Sequence, residues 1–534
     1  MVLGDNSLKS LILNAMSRFP ERILLEDDFG AWRGSQLATH LQGLVTRIEN
    51  HTLPQSRVGI CFDNSVSQAM AILATVISER VPVMINSVDL YEGKIDWIRH
   101  AKLNFTLTSE DLAPRFSIPH LILNDKGYVI DVIGKTTVGR ELDQVVFMPP
   151  IGTGVILFTS GSTGEPKEIY VPENGILKTI SELINRFDLD ETTVASITLP
   201  VCHSMALNTQ FLPTFVVGGR SRFYNLRLAI NRVFRGFLRD DATFVSLIGE
   251  IVRTCWEEKR RRGLPPCEHV KHVQLAGGLI AQKHLEMTKE IFPNAIIHKG
   301  YGLTEAIRVT MISSKEPQFQ TMAVGRPLPF LELKIVNDLG NDLPRGQFGE
   351  IQVRGDSVLK GLRSLTSANI RLMEPGEFLP TGDLGMLDSD GYLHVSGRLD
   401  SLFKINGRRV AGAEIEKVAL EASEHFRFAK AILVSDEDRD RSKIVLFIEL
   451  DRSSWKDDEL LLEPSLQERL AEQMRRLSVP PKEILFIKHI PRTSNGKLNL
   501  PQLKNIWKLQ SVRPLEKLMI SNLKLYSVNE EVVT

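Results

Sequence analysis

Residues 155–167 read Val-Ile-Leu-Phe-Thr-Ser-Gly-Ser-Thr-Gly-Glu-Pro-Lys. An apolar run of strand length, Val155 to Phe158, delivers a loop of hydroxyl-bearing and glycine residues that closes on Lys167. Gly161 and Gly164 allow close backbone approach and positive φ. Backbone N–H groups, the hydroxyls of Thr159, Ser160, Ser162 and Thr163, and the Lys167 ammonium can together wrap an anion, and this composition suits a polyphosphate. The spacing is not that of the P-loop, Gly-x-x-x-x-Gly-Lys-Ser/Thr, because Lys167 follows Pro166 and precedes Glu168. Taken alone, the stretch also reads as a flexible Ser/Gly turn between two elements.

Outward from this loop, strand and helix patterns alternate. Val58–Phe62 is a short apolar run, Met70, Leu73, Ala74 and Ile77 recur at helical spacing, and Val81–Ile85 reads as a second strand. Residues 91–100 read as helix and 105–108 as extended. The rhythm resumes with Val155–Phe158, a helix near 174–185 and a strand at 194–199. It continues through strands at 243–247 and 273–275, a helix near 283–292 and a strand at 295–298. This is the pattern of βαβ units around a parallel sheet, so the fold class is α/β. From about Pro327 the texture becomes β-rich, with extended runs at 331–336 and 348–353 separated by Asp, Asn, Gly and Pro. Beyond Asp400 a compact α/β pattern follows: helices near 413–422 and 465–477, strands near 429–434, 444–450 and 484–487. The expected organisation is a large N-terminal domain, residues 1–399, and a small mobile α/β C-terminal domain, residues 400–534.

A chain of 534 residues is too long for one core. Its apolar fraction of 43% and charged fraction of 24% are those of an ordinary globular protein. Lys+Arg and Asp+Glu both total 65, so no basic excess points to nucleic acid. One local basic run, Lys259-Arg260-Arg261-Arg262, reads as a solvated helix end that could also meet an anionic partner. Four cysteines without Cys-x-x-Cys spacing suggest free thiols in a reducing compartment. With neither a signal peptide nor a transmembrane run in view, the expected location is cytoplasmic.

Four further stretches carry chemistry. Tyr301-Gly302-Leu303-Thr304-Glu305 follows the 295–298 strand, and strand ends of α/β sheets are where ligands bind. Tyr301 could stack on a base, Thr304 bond a phosphate and Glu305 hold Mg²⁺. Alone, the stretch reads as an ordinary helix start. Thr381-Gly382-Asp383, with Gly391-Tyr392 and Gly397-Arg398-Leu399-Asp400, offers Asp383 to a ribose diol and Arg398 as a donor, on what Asp390-Gly391 marks as a hairpin. The segment 404–416 contains Lys404, Gly407, Arg408 and Arg409. Pro491-Arg492-Thr493-Ser494-Asn495-Gly496-Lys497 presents one Lys on a Gly-bearing loop.

In this order the five pieces resemble the adenylate-forming superfamily: acyl-CoA synthetases, aryl acid ligases, peptide-synthetase adenylation domains and beetle luciferases. The resemblance spans roughly residues 10–507. It implies that Thr159, Ser160, Gly161, Ser162, Thr163, Gly164 and Lys167 grip the β- and γ-phosphates of ATP. It implies that Tyr301 and Gly302 pack on adenine, Thr304 contacts the α-phosphate and Glu305 binds Mg²⁺. Asp383 would hold the ribose with Arg398 assisting, and Lys497 would bridge the acid's carboxylate and the α-phosphate. Asp400 matches the hinge, with Lys404, Gly407 and Arg409 on the face that rotates into the site. The acid pocket would lie between 200–207 and 276–279, with His203 as a catalytic-site residue beside the acyl group and Gly278 among the cofactor-binding residues; His203 reads equally as a packed core histidine.

The implied reaction activates a carboxylic acid to an acyl-adenylate, then transfers it to a thiol. Residues 200–207 offer no carboxylate to pair an ammonium, which favours a fatty or aryl acid over an α-amino acid. Coenzyme A is the first choice of acceptor, and the phosphopantetheine of a separate acyl or peptidyl carrier protein is the alternative. A non-catalytic nucleotide-binding relative would be expected to lack Lys497 or Glu305, and both are present. A luciferase-like oxygenase shares every motif. Two departures stand out: Phe378, where a Trp often precedes Thr-Gly-Asp, and Glu168, a carboxylate beside the phosphate loop that is expected to weaken or reorient its grip. After Lys497, Leu515, Met519 and Leu523 read as a helical apolar stripe.

Overall fold

The computed structural model describes residues 7–91, 100–133, 147–160, 166–225, 230–239, 241–278, 280–320, 322–365, 367, 369–399, 402–405, 408–423, 425–436, 441–451, 454–456, 459–460, 463–477, 479–491, 498–508, 512–514 and 524–528. The chain divides into two compact units. One comprises Met1–Lys334, Gln352–Pro380 and Leu387–His394; the other comprises Ile335–Ile351, Thr381–Met386 and Val395–Thr534.

Two nine-stranded sheets build the first unit. In one, the strands Ile296–Leu303, His272–Leu275, Phe244–Leu247, Val194–Ile197, Arg220–Phe223 and Ile23–Glu26 run parallel in that spatial order. Antiparallel Ala306–Ser313 and Arg326–Pro327 close one edge, and Ala31–Arg33 closes the other. In the other sheet, Thr153–Ser160, Val81–Asn86, Arg57–Phe62, Phe105–Ser109 and His120–Leu123 are the parallel strands. Pro166–Pro172, Gly361–Ser364 and Arg371–Leu372 extend it antiparallel beyond Thr153–Ser160. Parallel strands are covered on both faces, so their sequences are continuous apolar runs: every residue of Arg57–Phe62 is buried. The helix expected over 91–100 covers residues 92–99, which lie outside the described residues.

The expected β-rich texture past Pro327 is a four-stranded sheet of Leu331–Val336, Gly349–Gly355, Leu379–Leu387 and Leu393–Arg398. The hairpin signal at Asp390-Gly391 is correct. Gly391 takes φ +83°, and Asp388 N donates to Tyr392 O at 3.0 Å.

In the second unit, Phe426–Asp436 and Arg441–Leu450 form an antiparallel pair, and Glu483–Ile487 and Lys524–Val528 add in parallel. Side chains alternate across this sheet. Ile444, Leu446, Ile448, Ile484 and Phe486 pack under the helices Gly412–Glu421 and Pro464–Arg475. Val445, Phe447, Leu485 and Ile487 pack under the helix Leu500–Lys508. The tail therefore contributes two strands, Val512–Pro514 and Lys524–Val528, to its own domain's sheet. The expected stripe at Leu515, Met519 and Leu523 lies outside the described residues. Among the described residues, no helix is long and apolar enough to cross a membrane.

Candidate active site

The loop that follows Val155–Phe158 joins two antiparallel strands. Thr159 stands opposite Lys167 and Ser160 opposite Pro166, and Lys167 pairs on its other side with Ser364. Thr159 is buried and Lys167 half-buried. Gly161, Ser162, Thr163 and Gly164 lie outside the described residues, as does the side chain of Ser160.

Glu168 is not exposed beside this loop, which corrects the expectation of a carboxylate disturbing its grip. Alternation along Pro166–Pro172 turns Glu168 and Tyr170 inward. Glu168 Oε1 accepts from Arg57 Nη2, and Oε2 accepts from Arg363 Nε at 2.7 Å and from the Tyr170 hydroxyl at 2.7 Å. Glu168, Arg57 and Arg363 have no exposed side-chain surface. Burial alone would push the carboxyl up, but the two guanidiniums and the phenol together hold it below the usual carboxylate range. The Tyr170 hydroxyl is driven upward by burial and by the Glu168 charge. Arg57, Arg363 and Lys102 also stack against Phe147, at 5.2, 4.9 and 4.5 Å from the ring centroid.

Tyr301–Glu305 is not a helix start. The strand runs on from Ile296 to Leu303, and Thr304 and Glu305 form the turn into Ala306–Ser313. Tyr301 N donates to Thr310 Oγ1 at 3.3 Å, and that hydroxyl donates to Val324 O at 2.7 Å. Leu359 N donates to Glu305 O at 2.8 Å, which fixes the turn. Tyr301, Thr304 and Glu305 are half-buried, with Gly302 exposed between them.

Gly278 follows the strand His272–Leu275. It takes φ +148° with no atom within 4 Å of where a Cβ would stand, so its backbone faces open space. His203 follows the strand Val194–Ile197. It is half-buried and caps the helix Ser204–Ala206, with Leu207 N donating to His203 O at 3.1 Å. A π-helical turn, Leu207–Phe211, comes next, a feature common at functional sites. Gln274 Nε2 donates to Thr209 Oγ1 at 2.8 Å and Gln210 Nε2 to Ser196 O at 3.0 Å, tying this helix to the sheet below. Because the parallel strands share one register, His203, Gly278 and Tyr301–Glu305 all emerge at the carboxyl edge of one sheet.

In the second unit, Asp383 and Arg398 meet. Arg398 Nη1 donates to Asp383 Oδ1 and to Thr381 O, both at 3.2 Å. Asp383 N donates to Thr381 Oγ1 at 3.1 Å, and Gly382 between them takes φ +68°. Asp383 is buried, while the Arg398 side chain is half exposed. Lys404 stands opposite Arg409 in the ribbon of Leu402–Ile405 and Arg408–Ala411. Asp400, Gly407 and Lys497 lie outside the described residues, as do the side chains of Lys404 and Arg409.

The basic run ends a helix, Gly249–Arg262, stopped by Gly263 in the left-handed region. Its cations have internal partners: Arg261 and Arg262 pair with Glu258, Lys259 lies 3.5 Å from Glu290, and Arg260 stacks over Trp256. Among the described residues, no group of three or more His, Cys, Asp or Glu could hold a metal. Mg²⁺ binds through one or two carboxylates plus substrate phosphates, and the half-buried Glu305 would offer one such carboxylate. Sequence reasoning missed the partners of Glu168 and a buried arginine, Arg308. The available signal for Arg308 was a single cation inside the apolar run Ala-Ile-Arg-Val-Thr-Met-Ile.

The family model for AMP-binding enzymes matches residues 14–363. The chain is 25% identical over 492 residues to the 2-succinylbenzoate–CoA ligase of Bacillus subtilis, covering 91% of this chain and 95% of that enzyme. It is 27% identical over 370 residues to the 4-coumarate–CoA ligase 2 of Nicotiana tabacum, covering 67% of this chain and 64% of that enzyme. Its fold matches the O-succinylbenzoate coenzyme A synthetase of Bacillus subtilis in complex with ATP and magnesium. That match has a TM-score of 0.74 at 20% identity, over 92% of this chain and 99% of the other.

Proposed function

The chain belongs to the AMP-binding enzymes, and from that premise we infer an AMP-forming acid–thiol ligase that joins a carboxylic acid to coenzyme A at the expense of ATP. The supporting observation is that His203, Gly278 and Tyr301–Glu305 emerge at one carboxyl sheet edge within the matched span. An oxygen of the acid attacks the α-phosphorus. An O–P bond forms, the bond to the bridging oxygen breaks, and pyrophosphate leaves with the electron pair. The acyl carbon of the adenylate then accepts the thiolate of coenzyme A, and AMP leaves as the C–O bond breaks.

Thr159 to Lys167 grip the β- and γ-phosphates in this reading, Tyr301 stacks on adenine and Thr304 meets the α-phosphate. Glu305 holds Mg²⁺, which when bound offsets phosphate charge. Asp383, oriented by Arg398, receives the ribose hydroxyls. Lys497 bridges the two reacting anions, which otherwise repel each other. The catalytic domain is residues 1–399, and 400–534 form a domain that turns about Asp400 to bring Lys404, Gly407 and Arg409 to the site.

Pyrophosphate release over a panel of acids, with coenzyme A or a carrier protein added, tests the reading. Lys497→Ala is expected to lower adenylation about 10²–10³-fold and to spare transfer from preformed acyl-adenylate. An equal fall in both half-reactions removes Lys497 from the role. Absence of acid-dependent release with every acid in the panel refutes the ligase.

A further inference from the structure

Arg308 is an arginine folded into the sheet without a carboxylate partner among the described residues. It is 6% exposed, and its buried Nε has no hydrogen-bond partner. Burial alone pushes its guanidinium down to about 10, with no neighbouring anion opposing the fall. After burial, His272 and Arg186, the Arg308 charge adds to what keeps His298 neutral. Arginines are rarely buried unpaired, because the desolvation of the charge goes uncompensated.

Its backbone is strained as well. Arg308 takes φ +43°, a region costly for a non-glycine residue and concentrated at functional sites. The register slips between Tyr301 and Leu303. The side chain lies against Gly300, and the backbone of Arg308 lies against Gly302. A Cβ on Gly300 would stand 2.6 Å from Arg308 Nη1, and one on Gly302 would stand 2.8 Å from Arg308 N. Gly302 of the Tyr301–Glu305 motif and Gly300 just before it thus make room for this arginine.

The strand that carries Arg308 also meets the segment assigned to the acid. His298 and Gly300 lie on one side of their strand, two residues apart. His298 meets the ring of Phe187, which caps the helix Glu173–Arg186. That helix packs on the strand Ala306–Ser313, and so does Ser204–Ala206, the helix that His203 caps. Arg308 therefore lies on the strand that follows the adenine-side motif and packs against the segment assigned to the acid.

We propose that Arg308 is a specificity-determining residue that pairs with a second carboxylate on the substrate, making the preferred acid a dicarboxylic acid. This rests on the ligase reading and sharpens its substrate class. The expectation of a fatty or simple aryl acid drew only on residues 200–207, and Arg308 lies on another strand.

The test compares dicarboxylic acids with their monomethyl esters at equal length, reading pyrophosphate release. The intact enzyme is expected to favour the diacid in kcat/KM by about 10² or more, because a site built around a buried polar group rejects the analogue that leaves it unmatched. Arg308→Met should remove that preference and leave the KM for ATP unchanged; Arg308→Lys should restore part of it. Equal or better use of the half-esters by the intact enzyme overturns the proposal. So does an Arg308→Met variant whose KM for ATP rises with every acid, since the arginine would then serve the nucleotide. Thermal shift of the intact protein needs no variant. A diacid with ATP should raise Tm and its half-ester should not, and equal shifts overturn the proposal. Absence of pyrophosphate release from any acid refutes the ligase reading separately, and the thermal shift still decides Arg308.

Discussion

Replacing Glu168 by glutamine should destabilise the protein by about 3–5 kcal/mol. The carboxylate answers two guanidiniums, Arg57 and Arg363, in a place without exposed side-chain surface. At an effective dielectric of about 20, a unit pair roughly 3 Å apart gains on the order of 5–6 kcal/mol, set against several kcal/mol per ion of lost hydration. The intact cluster is therefore near balance, and removing its one anion leaves both desolvation terms standing. Arg363 keeps the carbonyls of Ser367 at 3.1 Å and His100 at 2.8 Å. Arg57 keeps the Tyr170 hydroxyl at 3.4 Å as a hydrogen-bond partner and the Phe147 ring beneath it, and that hydroxyl loses part of its acceptor. A glutamine also turns an NH₂ toward a guanidinium, donor against donor. The assay is the urea midpoint of the variant against the intact protein, with the KM for ATP measured in parallel. A combined Arg57→Met, Glu168→Leu, Arg363→Met variant should recover most of the loss, since apolar residues of similar volume often equal a buried ion cluster. The sign with pH is fixed too. The Glu168 carboxyl is held below its ordinary 4.5, so its contribution is present above that value and lost as pH falls through the folded-state pKa. A Glu168→Gln variant within about 1 kcal/mol of the parent would refute the cluster as a stability element. A marked fall in its KM for ATP would instead support a carboxylate that obstructs the phosphate loop.

Three further outcomes are expected. His272 Nδ1 and His298 Nε2 lie 3.1 Å apart in the core, and burial lowers them to about 4 and about 2. The unfolded chain takes up protons first, so stability is full above about pH 6.5 and falls by roughly 3 kcal/mol for His272 alone as pH drops to about 4; urea midpoints should track this, and His272→Gln with His298→Gln should flatten the slope. Asp383→Ala should raise the KM for ATP about 10–10²-fold, the loss of hydrogen bonds to a charged group, with a smaller change in kcat; an unchanged KM would remove Asp383 from the nucleotide site. Gly300→Ala places a Cβ 2.5 Å from Thr310 O as well as against Arg308, so it should cost about 1–3 kcal/mol and abolish diacid preference with it, which paired melting and substrate-panel measurements would check.

The chemistry-bearing pieces were legible in the sequence because they are local. Hydroxyl and glycine residues after an apolar run, an aromatic and a carboxylate at a strand end, and Asp-Gly at a hairpin each state their geometry within a few residues. The α/β alternation was legible for the same reason, since parallel strands buried on both faces are written as continuous apolar runs. What misled was also local. Thr304-Glu305 looks like a helix's first turn, but pairing with Ala306–Ser313 carries the strand through Leu303. Glu168 sits beside a phosphate loop in sequence, and only the arrival of Arg57 and Arg363, 111 and 195 residues away, turns it from a disturbance into a neutralised core group. Arg308 is the converse. Its neighbours in the chain promise a routine strand, whereas tertiary packing buries it without a carboxylate partner among the described residues. The sequence determined which chemical groups the protein owns and the fold class that carries them; the tertiary structure decided which charges, among the described residues, are answered inside the fold and which are not, because burial and pairing are properties of distance in space, not along the chain.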